Sequence, residues 1–222
     1  MTRLLPFCSV LVSLTGCGPK PFYEWKDEPY VRPVYEQGEE AALEEMSSSL
    51  SNNRDVGCRA LAVMGEQAFK RGDRMTAHRI AEILMNHYAS EENPQVRSTV
   101  VAVCLRDTGR DDPEVEEFLR KCIRSDDELV AAAYTMAANH VSGAFEEISS
   151  AFASASDYEL KYELLGALWL LGDGRAVEIY HRNIADVDRD WPEEIHHMPK
   201  KMYIKTLRSR METLAIPVPN TK

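Results

Sequence analysis

From residue 55 onward, apolar residues recur every third or fourth position in short blocks, and each block ends in a polar break that carries glycine. One set of blocks runs Val56, Ala60, Met64; Val96, Val100, Cys104; Val130, Tyr134, Ala138; and Leu160, Leu164, Leu168. This spacing puts one apolar stripe on each of four helices. Asp55, Asn93, Asp127 and Asp157 precede the blocks and are expected to cap them, since an Asp or Asn oxygen accepts from the free amides of a first turn. Gly72, Gly109, Gly143 and Gly172 follow the blocks, where a left-handed residue would end each helix without steric cost. A second set of stripes comes next: Ile80, Leu84; Val115, Leu119, Ile123; Phe145, Ile148, Phe152; and Val177, Tyr180, Ile184.

Equivalent positions Arg59, Arg97, Ala131 and Lys161 are 38, 34 and 30 residues apart, a period typical of helical repeats. One such hairpin cannot cover its own apolar faces, whereas a stack of four can. The pattern therefore predicts an all-α fold, a short right-handed α-solenoid of about four helical hairpins over residues 55–188, with capping helices. Residues 36–54 supply an acidic N-terminal cap, from about Glu36 to Leu50. Residues 189–222 supply a C-terminal cap and tail, with Asp190 placed to start a helix before Trp191 and a further start at Pro199. The last helix carries Lys200, Lys201, Lys205, Arg208 and Arg210 on one side and Met202, Ile204, Leu207, Met211 and Leu214 on the other, the pattern of a docking helix with a solvated basic face.

Two segments carry a family resemblance. LGDGRAVEIYHRNI resembles the turn and second helix of bacterial HEAT-like repeats, and VRSTVVAVCL resembles a HEAT first helix. The resemblance spans about Asp55 to Ala185 and implies shape more than activity. Its periods are shorter than the roughly 40–47 residues of full HEAT units, and MGEQAFKRGDRMTAHRIAEIL is equally similar to a tetratricopeptide hairpin.

The N-terminus departs from this pattern. Arg3, the apolar stretch from Leu4 to Leu14 and the small residues that follow have the layout of a secretory signal peptide over residues 1–16. Leu14, Thr15, Gly16 and Cys17 resemble the lipobox of bacterial lipoproteins, which implies cleavage before Cys17 and lipidation of its thiol. Several acyl chains give the stable anchoring that one chain does not. Residues 17–35 read as a lipidated tether in which Pro19, Pro21, Pro29 and Pro33 prevent a continuous helix. Five aromatics, Phe22, Tyr23, Trp25, Tyr30 and Tyr35, are expected to pack back onto the folded body.

Composition narrows the partners. With 26 basic and 36 acidic residues, the net charge of −10 opposes nucleic-acid binding, which draws much of its affinity from Lys and Arg. No apolar run approaches the roughly 20 residues of a spanning helix. The expected location is the bacterial cell envelope, with the chain lipid-anchored to a membrane and facing the periplasm or exterior.

Catalytic constellations are absent from the sequence: it contains no GxSxG, HExxH or Walker-type loop. Gly172-Asp173-Gly174 could cradle a phosphate, but it follows a helical pattern rather than a strand and lacks a Lys-Ser/Thr partner, so it reads as a turn. Cys58, Cys104 and Cys122 are expected to be reduced and mostly buried. A hairpin folded near residue 110 would leave Cys122 about 7 Å too far along its helix to meet Cys104. His78, His87, His140 and His181 are each isolated, and adjacent His196 and His197 point about 100° apart on a helix, so none is expected to bind metal. Glu116 with Glu117 and Glu146 with Glu147 are expected to form solvated faces.

These readings specify no catalytic, cofactor or metal site, and Cys17 as the lipidation site. The expected function is a non-enzymatic adaptor or assembly scaffold that binds an envelope protein. A HEAT-like enzyme or accessory of the lyase type is the alternative carried by the resemblance, and a passive structural lipoprotein is a third reading.

Overall fold

The computed structural model describes residues 28–106, 108–125, 127–191 and 199–215. Cys17, the signal segment, most of the tether and His196 with His197 lie outside them. All regular structure among the described residues is helical. Two compact units meet in sequence between Val115 and Glu116.

The N-terminal unit contains α1 (Val31–Gln37), α2 (Glu39–Met46), α3 (Ser51–Lys70), α4 (Arg74–Ser90) and α5 (Pro94–Thr99), which continues as a π-helical segment, Val100–Cys104. Helix α6 (Pro113–Cys122) carries the boundary. The C-terminal unit continues with α7 (Leu129–Ala138), α8 (Ala144–Ser154), α9 (Tyr158–Leu171), α10 (Ala176–Arg189) and α11 (Lys200–Ala215). The expected first and second helices thus follow one another in chain order as α3/α4, α5/α6, α7/α8 and α9/α10. Within each unit, first helices pack on first helices, as in a solenoid: α3 on α5 and its π-helical extension, and α7 on α9. As expected of a cap, α11 packs on α10 and α9.

Several local expectations are corrected. The tether was expected to lack helix through residue 35, yet α1 begins at Val31. Pro33 falls in its first turn, where the missing amide breaks no intrahelical bond, and burial of Val31 and Val34 holds the turn in place. The acidic cap is broken at Gly38, whose φ of 98° only glycine adopts readily. Tyr35 packs back as expected, donating its hydroxyl to Gln67 Oε1 at 2.8 Å, whereas Tyr30 is 76% exposed.

Asn93 and Asp157 cap α5 and α9 through amides two and three residues ahead. Asp55 and Asp127 do not cap. Helix α3 starts four residues before Asp55, which instead accepts from Arg59 at 2.6 Å, and α7 starts after Glu128. The early start of α3 follows from tertiary packing: α2 lies against its first half, and Gly57 gives α2 room. A Cβ on Gly57 would approach Ala42 O to 2.6 Å and Met46 N to 2.7 Å. Gly57→Val should therefore push α2 off α3 and lower stability by about 1–3 kcal/mol, the usual cost of overpacking, measurable by urea unfolding.

Left-handed glycines end α3 and α9, at Gly72 and Gly172, as expected. Gly109 and Gly143 differ. Gly109 is not left-handed; the neighbouring turn places Asp111 at φ 61° instead, and Gly109 is needed because a Cβ would meet Val115 Cγ1 at 2.6 Å. The residue that turns left-handed at the end of α7 is His140 (φ 53°), while Gly143, also left-handed at φ 75°, stands at the N-cap of α8.

The stripes are only partly the core. Val96, Val100, Cys104, Leu164 and Leu168 are buried, but α7 buries Ala132, Ala133, Met136 and Ala137, leaving Val130, Tyr134 and Ala138 half-covered. On α11, Tyr203 and Leu207 are buried while Met202 is 38% exposed.

Candidate functional site

Three places bring functional groups together: a buried ion pair, a packed tyrosine cluster and an open apolar groove. In the N-terminal unit, Arg54 of α3 donates Nε and Nη2 to Glu91 at 2.7 and 2.8 Å, and its Nη1 reaches the Ser48 and Ser49 carbonyls at 3.0 Å. Glu91 Oε1 also accepts from Asn93 N at 2.7 Å, and His87 Nε2 lies 3.2 Å from its other oxygen. The Glu91 side chain is 1% exposed, and the Arg54 hydrogen bonds lower its pKa to about 2 against the cost of burial. Arg54 thus ties the α2–α3 loop to the end of α4. Its carboxylate partner is fully engaged, which makes the pair structural.

In the C-terminal unit, Tyr134 donates to Glu163 Oε2 at 3.1 Å, Tyr180 to Leu165 O at 2.6 Å and Tyr203 to Asn183 Oδ1 at 3.2 Å. The Arg210 guanidinium lies 4.7 Å from the Tyr162 ring centre. Burial raises the pKa of Glu163 and of all three donating tyrosines. Perturbed groups of this kind are where catalysis would be sought. Here Tyr134 Oη fills the space beside Gly166, lying 2.0 Å from where a Cβ would stand. The cluster is close-packed and joins α7, α9, α10 and α11. Arg210 therefore belongs to an interior cluster rather than to the solvated basic face expected of the last helix.

Helices α8 and α10 bound an open groove of about 810 Å³. Phe145, Phe152 and Val177 line it, each half-buried, and His181 and Arg182 stand at its edge. Gly174, the last residue of the Gly172-Asp173-Gly174 turn, and Arg175 also line it. Asp173 accepts from its own turn at Arg175 N (2.9 Å), and Arg175 is held by Asp173 (2.6 Å) and by Glu146 of α8 (2.7 Å) while covering the Phe145 ring at 4.0 Å. Two carboxylates compensate its charge, which suits a clamp between α8 and α10 better than an anion site. Glu146, expected to be solvated, is exposed but paired through this clamp, and Glu147 pairs with Arg124 at 3.1 Å.

Cys58, Cys104 and Cys122 are buried, as expected of the three thiols. Burial pushes the Cys58 thiol up to about 12 and the Cys104 thiol well above its ordinary value, which keeps both protonated and unreactive. His140 is exposed in its turn and His181 is exposed at the groove. His78 is not isolated: its Nδ1 lies 2.6 Å from Asp112 Oδ2, and donor atoms of His78, Glu82 and Glu114 lie within 4.8 Å of one another. HxxxE on α4 was visible in the sequence, but its pairing with DDPE on the next turn was not. No family model, characterised protein or solved structure matches the chain.

Proposed function

We propose that the chain is a lipid-anchored, non-enzymatic interaction module of the bacterial cell envelope, whose helical hairpins hold a partner protein near a membrane. The observation that carries the reading is the α8/α10 groove, where Phe145, Phe152 and Val177 remain half-open between helices otherwise fixed by the Arg175 clamp. Apolar side chains lining an open groove suit the binding of a protein segment that brings its own apolar residues. The lipobox at Cys17 and the proline-rich tether support the membrane location, and the net charge of −10 supports a protein rather than a nucleic-acid partner. No described helix is long and apolar enough to cross a membrane, and the anchor in this reading is Cys17.

The groove makes a specific test available. Phe145→Ser with Phe152→Ser should abolish recovery of the partner that co-purifies with the wild type from detergent-solubilised membranes. Circular dichroism should show the helical content retained, because both rings are only half-buried. Undiminished recovery of the same partner would contradict the reading.

A further inference from the structure

A cluster of ligating side chains lies in the N-terminal unit, remote in sequence from the α8/α10 groove. His78 and Glu82 are one turn apart on α4 and so share a face. Glu114 enters the same space from the first turn of α6. Asp112 joins the two helices. Its Oδ1 accepts from the amides of Glu114 at 2.9 Å and Val115 at 3.4 Å, capping α6, while its Oδ2 takes His78 Nδ1 at 2.6 Å. With Nδ1 so engaged, the free lone pair of a neutral ring belongs to Nε2, which lies 3.9 Å from Glu82 Oε2. A carboxylate behind a histidine, fixing its tautomer and ring plane, is the arrangement that orients metal-ligating histidines.

We propose that His78 Nε2 and the carboxylates of Glu82 and Glu114 bind one divalent transition-metal ion of the zinc class, with Asp112 as the positioning residue. A tetrahedral ion with ligands at about 2.0–2.2 Å needs donor atoms about 3.3 Å apart. One ring nitrogen of His78 and one oxygen from each glutamate already lie within 4.8 Å of one another, with Nε2 3.9 Å from Glu82, and the 47% exposed Glu82 side chain has room to close the remainder. Three protein ligands leave the fourth position to water. The imidazole favours zinc-like ions over calcium, which takes six to eight oxygens. Bound metal would tie α4 to the start of α6.

Calorimetric titration of the metal-stripped full-length protein with Zn²⁺ tests the site, with Co²⁺ as a spectroscopic probe. One ion per chain is expected, with a Co²⁺ spectrum lacking thiolate charge-transfer bands. His78→Ala and Glu114→Gln should each weaken binding by about tenfold or more, and Asp112→Asn, which keeps the helix cap, by about 10–100-fold. Glu114→Gln changes only an exposed side chain, so it reports on binding even if another variant fails to fold. Absence of saturable binding up to millimolar Zn²⁺, thiolate bands, or an affinity unchanged in Glu114→Gln and Asp112→Asn would overturn the assignment.

Discussion

Glu91→Ala should lower the unfolding free energy by about 1–3 kcal/mol, because it leaves the part-buried Arg54 guanidinium without its carboxylate. Net stabilities of single domains are about 5–15 kcal/mol, so a loss of this size is a substantial fraction of the whole. The substitution also frees Asn93 N and removes the group beside His87 Nε2. Urea unfolding followed by circular dichroism measures the effect. Exchanging both partners for apolar residues, Arg54→Met with Glu91→Leu, should recover much of the loss, since burying a charge without its partner costs more than removing the pair.

The same carboxylate sets an acid limit. Its pKa is about 2 in the folded chain and has an ordinary value of 4.5. A lowered folded pKa means that the pair stabilises fully above about pH 4.5, that its contribution falls as the pH drops toward 2, and that it is gone below. Glu91→Gln should flatten this part of the pH profile, and an unchanged acid transition would show that Glu91 does not govern it.

Cys17→Ala should move the protein from the membrane to the soluble fraction. The lipid-anchor proposal makes this effect close to all-or-none, because each buried methylene contributes about 0.8 kcal/mol and several acyl chains carry the attachment. Mass spectrometry of the wild type should find the N-terminal peptide beginning at Cys17 with added acyl mass. A Cys17→Ala chain that still sediments with membranes after a high-salt wash would show that something other than acylation holds it there.

The sequence made the hairpins legible because their apolar spacing, their glycines and two of their caps agreed. Asn93 and Asp157 meet free amides and behave as local signals should. Asp55 fails as a cap because α2 packs against α3 and draws its start forward, which no residue near Asp55 reveals. Periodicity likewise located α7 but chose the wrong stripe. Its alanines allow close approach on several sides, so Ala132, Ala133 and Ala137 became core while Val130 stayed half-covered. The Gly172 turn was identified correctly, yet its Arg175 could not be assigned from sequence, since Glu146 lies 29 residues away. The gathering of His78, Glu82, Asp112 and Glu114 was hidden for the same reason.

The central proposal is that the α8/α10 groove seats a partner protein at the membrane. A photo-cross-linking residue at Phe152, and another at Met75 as an exposed control on α4, would be placed in the full-length protein in intact membranes. Mass spectrometry after solubilisation should find one dominant adduct from position 152, none of that species from position 75, and its loss in Cys17→Ala. The same adduct from both positions, or none from 152, would contradict the proposal.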